Sequence, residues 1–293
     1  MTNMTNNKQT AILHDAFCDF GGGERVALKL LSMFPKADLY TLYINKDISR
    51  FQEIYSDDRH IYTSPFQHIS LFKNVRGFQT ALLMFASVFW KNLNLSKYDL
   101  IISSTFGYNA KLAKGSLKST HISYIHNPSS FLYELPRQRY KLLGRQIVSG
   151  LKKSDYAGGQ TPHLLIANSK FTQGRIRSYY HRESTIIYPP IVIPPLSDKR
   201  NILDEYYVTF SRLDERKGVE LAIRAFNQLN KKLVVIGTGR EEKNLRKIAG
   251  PNISFPGFIP ENRLPSLLTN AKAIINCAIN EDFGMAPVEA MAN

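Results

Sequence analysis

The stretch 206–239, YYVTFSRLDERKGVELAIRAFNQLNKKLVVIGTG, decides the fold. It opens on a short Tyr/Val/Thr/Phe run, turns through a charged loop closed by Gly218, and enters a helix predicted over 218–229. A Val/Ile/Leu-rich run follows and ends on Gly-Thr-Gly. Two short apolar strands separated by one helix read as a parallel βαβ unit, because parallel neighbours need a crossover between them. The pattern continues with a helix over 240–249, a strand at ISFPGF (253–258), a helix over 261–270, a strand at AKAIINCA (271–278) and a helix from about 285. Upstream, TAILHDAF (10–17), ADLYTLYI (37–44), YDLIISST (98–105), STHISYIHN (119–127), HLLIANS (163–169) and STIIYPP (184–190) are strand-like, with GERVALKLLSMF (23–34) helical. Between the two series, YPPIVIPPLSDKR (188–200) holds four prolines that neither a helix nor a central strand accepts. The reading is α/β, with two doubly wound Rossmann-like domains over 1–195 and 196–293.

Bulk properties narrow the function classes. The chain has 293 residues, 43% of them apolar, enough for two cores. Its first ten residues are polar and show no secretory signal, and the longest apolar stretch, 78–90, is shorter than the about 20 residues a bilayer requires. Two distant cysteines, Cys18 and Cys277, argue against a disulfide framework and for a reducing cytoplasm. No His/Cys spacing reads as a metal site. The net charge of +14 implies an acidic partner. Nucleic acid is disfavoured, because no helix-turn-helix, zinc-finger or RNA-binding aromatic pattern appears.

Ligands of open α/β sheets bind beyond the carboxyl ends of the strands, and four such ends stand out. In SRLDERKG (211–218), Arg212 and Lys217 beside a helix start suit a diphosphate, and pairing with Asp214 and Glu215 is the competing reading. VVIGTGREE (234–242) lacks the third glycine of a dinucleotide fingerprint and reads as a structural turn. FPGFIPENRL (255–264) offers Phe258 and Ile259 to a flat base. EDFGMAPVE (281–289) sets Glu281 and Glu289 around a glycine turn at a helix start, where backbone N–H groups attract an anion.

Taken in order, these four motifs resemble the donor-binding domain of retaining family 4 glycosyltransferases, which have the GT-B fold of two such domains facing a cleft. The resemblance is close over 201–293 and continues through GGGER (21–25), HNPSSFLY (126–133) and IANSKFTQGRI (166–176). Within the family the chain looks most like bacterial mannosyltransferases of surface-polysaccharide assembly. It implies that Arg212 and Lys217 hold the donor diphosphate, Glu289 the ribose, and Glu281 the sugar. Phe283, Gly284 and Met285 would contact sugar hydroxyls and phosphate. Gly22 and Gly23 match the glycine loop facing phosphates and acceptor, and His126 a histidine near the transferred sugar. The expected chemistry is hexosyl transfer from a nucleoside diphosphate sugar, GDP-mannose first, without a metal or other cofactor. The acceptor would be a glycan or polyprenyl diphosphate-linked glycan. Cations meet the leaving phosphate.

Arg59, Lys73, Arg76, Lys91 and Lys97 lie in an acid-free stretch, as do Arg137, Arg139, Lys141, Arg145, Lys152 and Lys153. Beside the apolar helix 78–90 they suit an anionic membrane, which places the protein in the cytoplasm and peripherally on the inner face of the plasma membrane. A core helix beneath a solvated basic face is the alternative. Relatives continue beyond EAMA, so the second domain is expected to be incomplete and the chain truncated. The rival functions are a fragment that only binds nucleotide sugar and a retaining glycan phosphorylase.

Overall fold

The computed structural model describes residues 8–18, 20–55, 58–68, 78–107, 109–134, 142–191, 193, 205–260 and 263–292. They form two compact units, Met1–Pro190 and Ile191–Asn293. The first is built on strands β1 (Thr10–His14), β2 (Asp38–Thr41), β3 (Ile61–Thr63), β4 (Leu100–Thr105), β5 (Thr120–Ile125), β6 (Leu164–Ala167) and β7 (Thr185–Ile186). Its helices are α1 (Gly22–Met33), α2 (Phe78–Lys91), α3 (Ser130–Glu134), α4 (Leu142–Gln160) and α5 (Lys170–Tyr180). The second unit contains β8 (Tyr206–Phe210), α6 (Val219–Leu229), β9 (Lys232–Ile236), α7 (Glu242–Ile248), β10 (Ile253–Gly257), α8 (Leu264–Thr269), β11 (Ala273–Ile274) and α9 (Met285–Met291).

Strands run in the order β3-β2-β1-β4-β5-β6-β7 in the first sheet and β10-β9-β8-β11 in the second. The paired strands of both sheets are parallel. Each order reverses once, between β1 and β4 and between β8 and β11, and the crevice at such a reversal is where doubly wound sheets hold ligands.

Burial explains the strand compositions. Successive side chains of a strand point to opposite faces, and a parallel sheet covered on both sides buries both sets. Ile12 joins Leu39, Phe51 and Ile102 under α1, while its neighbour Leu13 joins Leu42, Trp90 and Tyr98 on the other face. In the second unit Leu233 and Val235 pack with Ile223 and Phe226 of α6, and Val208 and Ile236 with Leu268 of α8.

Local differences from the sequence reading have physical causes. The strand β3 has no counterpart there, since three residues carry almost no period. Gly22 and Gly23, read as a loop, form the first turn of α1, whose carboxylate Glu24 accepts from the Gly21 amide at 3.1 Å. The α4 helix runs through Gly158 and Gly159. A Cβ at Gly159 would lie 2.4 Å from the Tyr180 ring, and one at Gly158 3.1 Å from the Lys111 stem. Two poor helix formers are thus placed where neighbours approach the helix backbone.

Candidate functional site

In the second unit, adjacency of β8 and β11 lays the 211–218 turn beside the segment that leads into α9. The contact is made first by backbone. The Ile279 amide donates to the Arg216 carbonyl at 2.9 Å, and a Cβ on Gly218 would fall 2.2 Å from the Cys277 carbonyl oxygen. Gly218 has φ +63°, a left-handed conformation in which glycine carries no steric penalty. Lys217 Nζ then donates to Glu281 Oε2 at 2.6 Å, with 23% and 30% of the two side chains exposed. The lysine therefore pairs with the acid of the downstream motif rather than with Asp214 or Glu215. An ammonium bonded to one carboxylate keeps two further N–H donors, so the pair can still meet an anion.

Gly284, at φ +79°, caps α9 and makes the bend that follows Glu281. Met285 opens the helix, Glu289 lies within it, and Phe283, Met285 and Glu289 are all half-buried. Arg212 follows β8 and is exposed. The next strand end splits: Phe258 is exposed, whereas Ile259 packs against the Val208–Ile236–Leu268 core. The Gly-Thr-Gly turn is structural. Cβ atoms on Gly237 and Gly239 would sit 1.9 Å from the Ser211 carbonyl and 2.2 Å from that of Leu213, so both glycines let this turn press on the 211–213 backbone.

In the first unit the reversal between β1 and β4 gathers around His126 buried polar groups that the sequence reading missed. His14 ends β1 opposite Ser104 of β4, and His126 follows β5. The Ser104 hydroxyl contacts His14 Nδ1 at 3.1 Å and His126 Nε2 at 2.8 Å. Burial, above all, pushes both imidazoles down to about 3; each histidine's neighbourhood adds smaller contributions, including that of His14 on His126. Both rings are therefore neutral at ordinary pH. Gly23 lies against His126: a Cβ there would be 3.7 Å from Cδ2 and 3.8 Å from Nε2. Beside them Asp15, fully buried, accepts from the Thr105 hydroxyl and from the amides of Phe106, Gly107 and Ala110 at 2.7 to 3.0 Å. It shapes the loop after β4.

A second buried cluster supports both loops. Asp155 of α4 accepts from Lys111 Nζ at 2.7 Å, the Ser129 hydroxyl at 2.8 Å and the Tyr133 hydroxyl at 3.0 Å. Lys111 and Asp155 are almost wholly inaccessible. In the sequence each reads as one charge among many, with nothing local to set it apart.

The basic stretch before 153 and the apolar helix also meet. Ser154 of α4 donates to Ser87 of α2 at 2.9 Å. Ala86 and Trp90 of α2 are buried, Phe85 and Val88 exposed. Lys73, Arg76, Arg137, Arg139 and Lys141 lie outside the described residues, whereas Lys91, Arg145 and Lys153 are exposed. Arg59 is buried and donates to the Leu31 carbonyl, so it caps α1 and is not part of a basic face. Lys97 pairs with Asp38 at 3.1 Å. Among the described residues no helix is long and apolar enough to cross a membrane.

Comparison with known proteins bears on the fold. Residues 197–293 match the family described as glycosyl transferases group 1. A serotype-specific mannosyltransferase of Escherichia coli, WbdA, is 26% identical over 122 residues, which is 37% of this chain and 15% of that protein. The chain thus spans a small part of the curated relative it matches. Among solved structures, Anabaena HepE in complex with UDP and glucose superposes with TM-score 0.66 at 17% identity, covering 97% of this chain and 78% of that one. Sucrose-phosphate synthase from Thermosynechococcus elongatus gives TM-score 0.65 at 15% identity, over 97% and 79%. These likenesses show the fold: α/β, Rossmann-like, of GT-B type.

Proposed function

We propose that the protein transfers a hexose from a nucleoside diphosphate sugar to a glycan or lipid-linked acceptor with retention of configuration. Mannose from GDP-mannose is the donor of choice, on the likeness to the mannosyltransferase WbdA. A UDP sugar is second, because UDP-glucose is bound by HepE. Cell-surface polysaccharide assembly is the process this implies. The observation that carries the reading is the Lys217–Glu281 pair, which unites two distant motifs at one strand-order reversal.

In this reading Arg212 and Lys217 take the diphosphate as the C1–O bond breaks, and the first-turn amides of α9 add their partial positive charge. Donor phosphate draws Lys217 from Glu281, and the freed carboxylate accepts from a sugar hydroxyl. Glu289 accepts from the ribose. Phe283, Gly284 and Met285 line the sugar and phosphate, and Phe258 covers the base. His126, Gly22 and Gly23 serve the transferred sugar and the acceptor. The leaving phosphate oxygen takes the acceptor proton as the new bond forms on the same face. No resident metal is assigned a part. Exposed Phe85 and Val88 beside Lys91, Arg145 and Lys153 suit peripheral binding to an anionic bilayer that carries the acceptor.

A thermal-shift panel of GDP, UDP and ADP sugars tests the reading. A ligand at 100 times its dissociation constant stabilises by about 2.7 kcal/mol. One charge-assisted hydrogen bond contributes about 1.5–3 kcal/mol, so Lys217→Ala weakens binding by about 10- to 150-fold. Stabilisation at the same concentration then falls to about 0.3–1.3 kcal/mol. A full response in the variant, or none to any sugar nucleotide in the wild type, would overturn the site.

A further inference from the structure

We propose that His14 is a positioning residue: acting through the Ser104 hydroxyl, it holds His126 as the Nδ1–H tautomer, so that His126 serves as a hydrogen-bond donor and not as a base. That this donor serves a sugar rests on the transferase reading above; the tautomer itself does not.

The inference follows from counting hydrogens. A serine hydroxyl has one hydrogen and two lone pairs, and among the described residues that of Ser104 bonds no group besides the two imidazoles, so its hydrogen goes to one ring while it accepts from the other. Ser104 contacts His14 Nδ1 at 3.1 Å and His126 Nε2 at 2.8 Å, and all three groups are buried. Two arrangements exist. In the first, His14 Nδ1–H donates to Ser104, which donates to His126 Nε2, leaving the His126 hydrogen on Nδ1. In the second every bond reverses, and the His14 hydrogen moves to Nε2.

His14 Nε2 distinguishes them. Among the described residues it is buried with no hydrogen-bond partner. The second arrangement would bury an N–H without an acceptor, whereas the first leaves only a lone pair there. A buried N–H without an acceptor is tolerated less well than a bare lone pair, which makes the first arrangement the favoured one. Burial keeps both rings neutral, so no second proton blurs the choice. With Nε2 filled, the nitrogen left to His126 for a ligand is Nδ1, and it carries the hydrogen.

The strands impose this chain of contacts. Neighbouring strands β1, β4 and β5 deliver the three residues at their carboxyl ends, with His14 in register with Ser104. Gly23 closes over the Nε2 edge of His126, where a Cβ would already touch the ring. The imidazole is thereby held on one edge by the hydroxyl and crossed on that side by α1.

The test is a long-range 1H–15N spectrum of the full chain labelled at histidine, recorded without ligand. The wild type should show His126 with hydrogen on Nδ1 and bare Nε2 as its major tautomer. His14→Phe, which can pack with Phe17 and Phe106 and leaves the Ser104 hydroxyl free to accept, should raise the Nε2–H form at least several-fold. His14→Asn, whose amide can donate to Ser104, should restore the wild-type pattern. A wild-type His126 in the Nε2–H form overturns the proposal even if no variant folds, as does a tautomer ratio unchanged in His14→Phe. Because no substrate enters the measurement, a failure of sugar-nucleotide binding would count against the transferase reading alone.

Discussion

Replacing Gly218 with alanine should loosen the second unit at the point where its two motifs join. Two contributions add. A non-glycine residue at φ +63° incurs about 1–2 kcal/mol of steric strain. The new Cβ would also stand 2.2 Å from the Cys277 carbonyl oxygen, well inside the 3.0 Å below which real Cβ contacts essentially never occur. The obstacle is backbone, which cannot swing aside as a side chain can, and overpacking of this kind costs about 1–3 kcal/mol. The total is about 2–5 kcal/mol. Relief requires the 215–218 turn and the 275–279 strand end to separate, which breaks the bond from the Ile279 amide to the Arg216 carbonyl and stretches Lys217 from Glu281. Hydrogen exchange on the full chain reads this directly: the Ile279 amide should lose protection, and the transition of the second unit should move to lower urea. A variant with wild-type midpoint and a protected Ile279 amide would show that the close approach does not hold the two segments together.

Glycines in the first unit should behave in opposite ways. A methyl group added at Gly150 of α4 or Gly174 of α5 would meet no neighbouring atom within 4 Å, so alanine at either should stabilise by about 0.4–1 kcal/mol. Gly159→Ala, facing the Tyr180 ring at 2.4 Å, should destabilise in the same melting series. Removing one partner of the buried pair, as in Asp155→Ala or Lys111→Met, should cost about 3–5 kcal/mol, and joint replacement by leucine and methionine should recover much of it in denaturant melts. Acid should destabilise the first unit well above the carboxylate range. His14, His121 and His126 are each pushed down to about 3, chiefly by burial, but take up protons near 6.5 once unfolded. Their contribution is complete above pH 6.5 and is lost as pH falls toward 3, by up to about 4 kcal/mol per pH unit with all three acting. His121→Gln should remove about a third of that slope in urea melts run from about pH 7 to about pH 4.

The architecture was legible because parallel βαβ units announce themselves by alternation. The runs around 206–239 and 98–127 became β8, α6, β9, β4 and β5 with boundaries shifted by a few residues. The shortest elements were less so: β3 is held by its neighbour in the sheet rather than by any period of its own, and of the strand-like run 184–190 only Thr185 and Ile186 pair, as β7. Among the proposed donor-site residues, the meeting of Lys217 with Glu281 could be anticipated only as the convergence of two loops, since 64 positions separate them in the chain. His14, Asp15 and Ser104 escaped notice for a different reason. Each sits inside a strand-like string whose polar members look like ordinary interruptions, and their relation depends on strand order, which alternation alone does not specify. The lysine at 111 illustrates the same limit. Read in sequence it is one more cation of a basic protein; in space it is the hub under two loops.

The carboxylate of Asp15 has a consequence for how this protein can diverge. Loops usually vary among relatives by gaining or losing residues. The stretch after β4 lacks that freedom, because backbone amides at 106, 107 and 110 converge on one buried side chain from another strand. An insertion there would unseat a charge with no water to receive it. Diversification at this rim must therefore proceed by exchanging side chains on a loop of constant length, with Phe106 an available position, while changes of length are left to other margins of the sheet.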